Sequence, residues 1–171
     1  GVMSGTANVI FNGVTIGDGV FGTDSDTYAG EVTFNTGATT VYGGFYKDLA
    51  INGAKVLDRD ITVVFGGNAK IDSVMSGTAN VTFLEGAVTS GAGSFGTAEA
   101  AYAGIVTYQA GVALYNGTYA DLVLDGARTI TDRTVTVTEK ATFNGVQTLE
   151  GATLLTLSGA NGGTNAEINA A

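Results

Sequence analysis

VMSGTANVIF occupies residues 2–11 and VMSGTANVTF occupies residues 74–83. One eight-residue phrase therefore recurs at an offset of 72 within 171 residues. The match extends outward from both copies. TYAGEVTF (27–34) aligns with AYAGIVTY (101–108), FYKDLAINGAK (45–55) with TYADLVLDGAR (118–128), and LDRDITV (57–63) with TDRTVTV (131–137). The offset drifts only between 72 and 74, as it does when short insertions fall in connecting segments. The chain thus reads as an internal duplication, 1–73 and 74–146, followed by a partial coil and tail at 147–171. Together these form one continuous domain.

Within each copy, apolar residues alternate over short runs, as in Val32-x-Phe34, Ile61-x-Val63, Val106-x-Tyr108 and Val135-x-Val137. That period of two is the mark of half-buried strands. Gly, Asn and Asp punctuate the runs every 8–12 residues or so, and no stretch sustains helical periodicity. Composition agrees. The chain has 27 Gly and no Pro, and Pro would delete donors from a strand ladder. Two all-β architectures fit. Tandem antiparallel sandwiches would use the Asn-Gly pairs at 12–13, 52–53, 116–117 and 144–145 as hairpin turns. A parallel β-solenoid would stack coils of about 20 residues, none of which buries enough alone to offset its ordering entropy. The short strands favour the solenoid. Equivalent stretches of the two copies are expected to lie directly over one another in one column, some three or four layers apart.

Net charge is −9, from 7 basic and 16 acidic residues. That balance repels phosphate backbones and anionic bilayers, which argues against nucleic-acid partners and membrane insertion. No apolar run is long enough to span a bilayer. With no Cys and no His, disulfides, thiolate metal sites and the usual nucleophilic triads are excluded.

The string GIVTYQAGVALYNGTYADLVLDGARTITDRTVTV (104–137), outlined again by GEVTFNTGATTVYGGFYKDLAINGAKVLDRDITV (30–63), resembles a repeat of very large bacterial surface and secreted proteins. Such repeats are similar to those of filamentous-haemagglutinin-type adhesins and autotransporter passengers. Asp48 and Asp121 stand where that pattern commonly has Asn, and 12–26 and 84–99 match it poorly. The resemblance implies a right-handed parallel β-helix, a secreted or cell-surface location, and a fibrous or adhesive role with no reaction and no cofactor. The two poorly matching stretches are expected to be lateral loops.

Several residue groups remain to be weighed. Tyr46 and Tyr119 could line a sugar groove, but their duplication favours a buried ladder of rings along the stack. Asp58-Arg59-Asp60 and Asp132-Arg133 are the first candidates for polysaccharide cleavage. Their duplication favours capped turns instead, so no catalytic residue is assigned. Asp24 and Asp26 have calcium-loop spacing, yet the second copy keeps only Glu99, and a solvated loop is favoured over a metal site. Lys47, Lys55, Arg59 and Lys70 are expected to stack with Arg128, Arg133 and Lys140 into a modest basic strip. The tail SGANGGTNAEINAA (158–171) lacks the alternation of a strand. The expected function is that of a structural repeat whose copies associate end to end into a fibre or layer. The alternative is an adhesin or glycan-binding fragment, with binding in 12–26 and 84–99.

Overall fold

A computed structural model describes residues 1–14 and 16–158, together with the backbone of 166–169. The chain is a parallel β-solenoid of about eight turns, all β, with no helix among the described residues. Every strand pairing runs parallel, and none is a hairpin. The Asn-Gly pairs are therefore not hairpin turns. Gly53, Gly117 and Gly145 adopt positive φ at coil corners and strand ends.

Three columns of strands build the stack, and the first is continuous along it. The first carries Met3, Phe21, Gly44, Ile61, Val81, Val106, Leu122 and Ala141 in successive layers. The second carries Val9, Val32, Leu49 and Ala69. The third carries Lys55, Met75, Phe95, Gly117, Val135 and Leu155. Long strands such as Gly44–Ile51 and Ile61–Ile71 bend across a corner and serve two faces, with a register shift at the bend. The alternation read from sequence is the burial pattern. Inward Val32, Phe34, Ile61 and Val63 are buried, and the residues between them are partly exposed.

The register corrects one expectation. The two copies of VMSGTANV do not share a column. Met3 lies on the first face and its counterpart Met75 on the third, while Val81 sits above Ile61 on the first. From Met3 to Met75 the chain makes three full turns and two further faces. Each copy is thus one face short of four turns, so the second copy is rotated by one face relative to the first. The repeat length and the turn length are incommensurate, and similarity between copies cannot by itself specify which faces coincide.

Corners are fixed by side-chain oxygens that accept the backbone amide of the next coil. Asn8 Oδ1 accepts from Glu31 N at 3.0 Å, and its counterpart Asn80 Oδ1 from Ile105 N at 3.2 Å. Asn116 Oδ1 accepts from Thr134 N at 2.9 Å. Asn12, Asn35 and Asn52 form a side-chain ladder with bonds of 2.6 and 2.7 Å. The bonds to Glu31, Ile105 and Thr134 satisfy backbone amides at the bends, and the asparagine ladder ties successive coils through side chains alone.

At one corner the backbones touch. A Cβ on Gly104 would lie 1.9 Å from the Ala79 carbonyl oxygen, and one on Gly30 would lie 2.1 Å from that of Ala7. Neither position has positive φ, so close approach alone selects glycine. Both carbonyls accept a tyrosine hydroxyl, Ala79 from Tyr102 at 2.7 Å and Ala7 from Tyr28 at 2.6 Å, but Ala79 is buried whereas Ala7 is exposed on the first coil. Gly104→Ala should therefore cost about 3 kcal/mol and Gly30→Ala about 1 kcal/mol, because only the latter's neighbour can move aside. Chemical denaturation of the two variants checks this; equal losses would mean that the edge coil is as stiff as the interior.

The tail departs from expectation where it is described. Ala166–Asn169 forms a strand parallel to Ala141–Asn144. The rest of 159–171 lies outside the described residues. The segment 147–157 occupies the slot of the repeated phrase for a third time. Gln147 stands over Arg128 as Met75 stands over Lys55, and Leu155 stands over Val135 as Val81 stands over Ile61.

Candidate functional site

Twelve of the 15 aromatic residues form two buried clusters of six. Phe11, Phe21, Tyr28, Phe34, Tyr42 and Tyr46 make the first; Phe83, Phe95, Tyr102, Tyr108, Tyr115 and Tyr119 make the second. Tyr46 and Tyr119 are thus buried, but they are not rungs of a common ladder. Tyr46 packs on Phe21 at 5.5 Å and Tyr119 on Phe95 at 5.7 Å, each within its own copy. The Tyr119 hydroxyl donates to the Tyr115 carbonyl at 2.7 Å and lies 3.1 Å from the Tyr108 hydroxyl. Tyr46 donates to the Tyr42 carbonyl in the same way. No sugar reaches these rings.

Phe21 and Phe95 belong to the stretches expected to be lateral loops, and that expectation is corrected. Residues 12–26 and 84–99 supply strands Val20–Phe21, Val88–Ser90 and Ser94–Phe95 to the stack. The lateral excursions are shorter, at 22–27 and 96–101, where the register jumps from Phe21 to Tyr28 and from Phe95 to Tyr102. Asp24 and Asp26 lie on the first excursion. Its turn closes through Asp26 N to Thr23 Oγ1 at 3.1 Å, and the second closes through Ala100 N to Thr97 Oγ1 at 3.2 Å without either carboxylate. No group of three or more acidic side chains among the described residues is arranged to hold a metal ion.

The expected basic strip dissolves in the structure. Lys55 and Arg128, counterparts in the two copies, are turned inward and buried. Lys55 Nζ donates to the Thr36 carbonyl at 3.0 Å; Arg128 donates to the carbonyls of Val112, Tyr108 and Asp125 at 3.1, 2.7 and 2.9 Å. Burial holds both below their ordinary basic ranges. These cations hold corner carbonyls rather than presenting charge to a partner. Lys70 pairs with Asp72 at 2.9 Å, and Lys47 donates to the Gly66 carbonyl at 2.6 Å.

The sequence-selected group Asp58-Arg59-Asp60 lines an open groove. With Asp18, Val20, Gly43, Gly44 and Phe45, these residues border a groove of about 650 Å³ on the first copy. Arg59 lies 5.7 Å over the Tyr42 ring and pairs with Asp18 at 3.0 Å and Asp58 at 3.9 Å. Asp60 Oδ1 accepts the Asn80 amide at 2.8 Å, so it braces the corner. On the second copy Ala92 replaces Asp18, Thr118 replaces Phe45 and Thr134 replaces Asp60. There Arg133 donates instead to the Leu114 carbonyl at 2.6 Å, and only a cleft of about 50 Å³ remains. Asp132 caps the Ala152 amide at 2.8 Å. Asp18 and Phe45 were not singled out from the sequence; comparing the two copies position by position is the signal that finds them.

Asp18 is fully exposed, so its ion pair is screened. Asp18→Ala should change stability by less than about 0.5 kcal/mol, whereas Asp60→Ala, which strips the Asn80 amide of its acceptor, should cost about 1 kcal/mol. Urea midpoints of the two variants test the distinction. A larger loss from Asp18→Ala would make the pair a structural clasp.

The geometry defines a parallel β-solenoid with internal repeats. The chain matches no family model, no curated protein and no solved structure.

Proposed function

We propose that this chain is a structural repeat module of a secreted or cell-surface fibre or layer, assembled by self-association. One observation carries the reading. The second occurrence of VMSGTANV is seated in parallel register on a coil of the first copy, so one unit of the repeat stacks directly on another. At 74–83 it rests on 55–63, and Met75, Val81 and Phe83 are buried, at 0–2% exposure. A unit that buries its apolar side chains by stacking in parallel on a like unit is a template for further stacking. Electron microscopy and sedimentation over a concentration series test the proposal. Elongated particles that grow with concentration are expected; monodisperse single solenoids at high concentration would overturn it.

The second reading is glycan binding, favoured by the groove beside Arg59. The solenoid of the second copy forms without Asp18 or Phe45, so the backbone does not require them, and their convergence on one open groove supports a ligand role. A partly exposed ring beside carboxylates and a guanidinium has the chemistry of a saccharide platform. A glycan array compares the native chain with Phe45→Thr, which installs the residue of the second copy. Binding lost in that variant supports the reading, and no binding by the native chain removes it.

A further inference from the structure

We infer that the groove beside Arg59 selects sugars carrying a free, protonated amine over neutral and acidic saccharides. The inference rests on the glycan-binding reading and names the ligand class of that groove. Three carboxylates, Asp18, Asp58 and Asp60, border it against the single guanidinium of Arg59. The groove thus carries an excess of negative charge within a chain whose net charge is already −9. A carboxylated sugar entering it meets like charge from the walls and from the protein as a whole. An ammonium meets opposite charge from both. The carboxylates differ in how free they are. Asp60 Oδ1 is engaged by the Asn80 amide at 2.8 Å. Asp18 is fully exposed and the Asp58 side chain is 64% exposed, each with Arg59 as its partner at 3.0 and 3.9 Å.

The charge of the groove is not imposed by the fold. The second copy forms its coil with Ala92 where the first has Asp18. Among the described residues, its cleft is lined by Arg133 and by no carboxylate. One place in the repeat therefore carries net negative charge in the first copy and net positive charge in the second. Phe45 favours a sugar over a bare cation. Its ring is partly exposed on the groove wall, where the second copy has Thr118. An aromatic face packs against the C–H face of a pyranose and also attracts an ammonium carried on the same ring. Arg59 has N–H groups beyond those facing Asp18 and Asp58, and these can donate to sugar hydroxyls. At about 650 Å³ the groove has room for such a ring, within the size range of small-molecule sites.

The test is calorimetric titration of the full chain with four probes at a pH where amines are protonated. They are a β-linked glucosamine tetramer, the same tetramer N-acetylated, a galacturonic acid tetramer, and tetralysine, which has the charge without the sugar ring. The amine tetramer is expected to bind about tenfold more tightly than its acetylated form. The uronic acid should not bind, and tetralysine should bind more weakly than the amine sugar. Asp18→Ala and Asp58→Asn, singly and together, should shrink the preference for amine over acetylated sugar. Phe45→Thr should weaken both of these sugars and leave tetralysine unchanged. An acetylated or acidic tetramer that binds as tightly as the amine overturns the selection while leaving glycan binding standing. Tetralysine binding as tightly, or an amine preference that survives the double aspartate variant, overturns it too, as attraction to an acidic surface in general. If none of the three sugars binds, the inference falls, and the glycan array decides separately whether the groove takes any saccharide.

Discussion

Raising the pH above about 10 should unfold this protein in one steep step, driven by its tyrosines. Tyr46, Tyr102, Tyr108, Tyr115 and Tyr119 are buried, and burial raises the affinity of each for its proton well above the ordinary phenol value. The unfolded chain begins to release these protons near pH 10. The folded chain retains them. A group whose folded pKa is raised contributes its full stability below the unfolded value and loses it as pH climbs toward the folded one. Each such tyrosine then costs about 1.4 kcal/mol per pH unit, and five together cost about 7 kcal/mol per unit. Against a domain stability of about 5–15 kcal/mol, the transition should be complete within about two pH units of its onset.

One group opposes this. Lys55 is held below its ordinary value by burial, so the cost of its buried charge fades as pH rises toward the ordinary lysine range near 10.4. A single lysine offsets at most about one tyrosine of the five. The check is to follow tyrosinate absorbance and far-ultraviolet circular dichroism together. The two signals should move as one transition. Tyrosinate forming gradually while the β signal persists would show that hydroxide reaches the rings through local openings and that the core is looser than its packing suggests.

The legible part of the fold was its period. Runs such as Ile61-Thr62-Val63 and Val135-Thr136-Val137 state which side chain points inward, and the recurrence of a 73-residue unit states that units stack. What the sequence hid was phase. A turn takes between 16 and 25 residues, as the spacings from Val106 to Leu122 and from Val81 to Val106 show. A repeat of about 73 residues therefore need not close on a whole number of turns. The same variation misled the reading of 12–26 and 84–99. Phe21 and Phe95 stand isolated among Gly, Ser and Thr with no partner two residues away, so alternation says nothing of them. They pack at once on rings from several neighbouring coils, contacts distant in sequence. At the candidate site the Asp-Arg pairs were visible because they recur, and Asp18 and Phe45 were invisible because they do not. Recurrence finds what builds the stack. Departure from recurrence marks what a single copy adds.

Phe95 shows how much rests on such an isolated ring. It is fully buried and lies within 6.4 Å of four others: Phe83, Tyr102, Tyr115 and Tyr119. Removing it deletes ring contacts worth about 0.5–1.5 kcal/mol each beyond area burial. It also opens a void in a column clamped above and below by strand ladders, which restrict collapse of the cavity. Phe95→Ala should therefore cost about 5 kcal/mol, the upper end for such truncations. Phe21 has the same four-ring environment in the first copy, with Phe11, Tyr28, Tyr42 and Tyr46. Phe11 there belongs to the open first coil and can settle inward, so Phe21→Ala should cost nearer 3 kcal/mol. No ring pair bridges the two clusters among the described residues, so the double variant should lose the sum of the two to within about 0.5 kcal/mol. Urea unfolding of the three variants measures all of this. A Phe95→Ala loss below that of Phe21→Ala would mean that the interior coils relax more freely than the edge, contrary to the seating of each coil between two neighbours on which the whole solenoid depends.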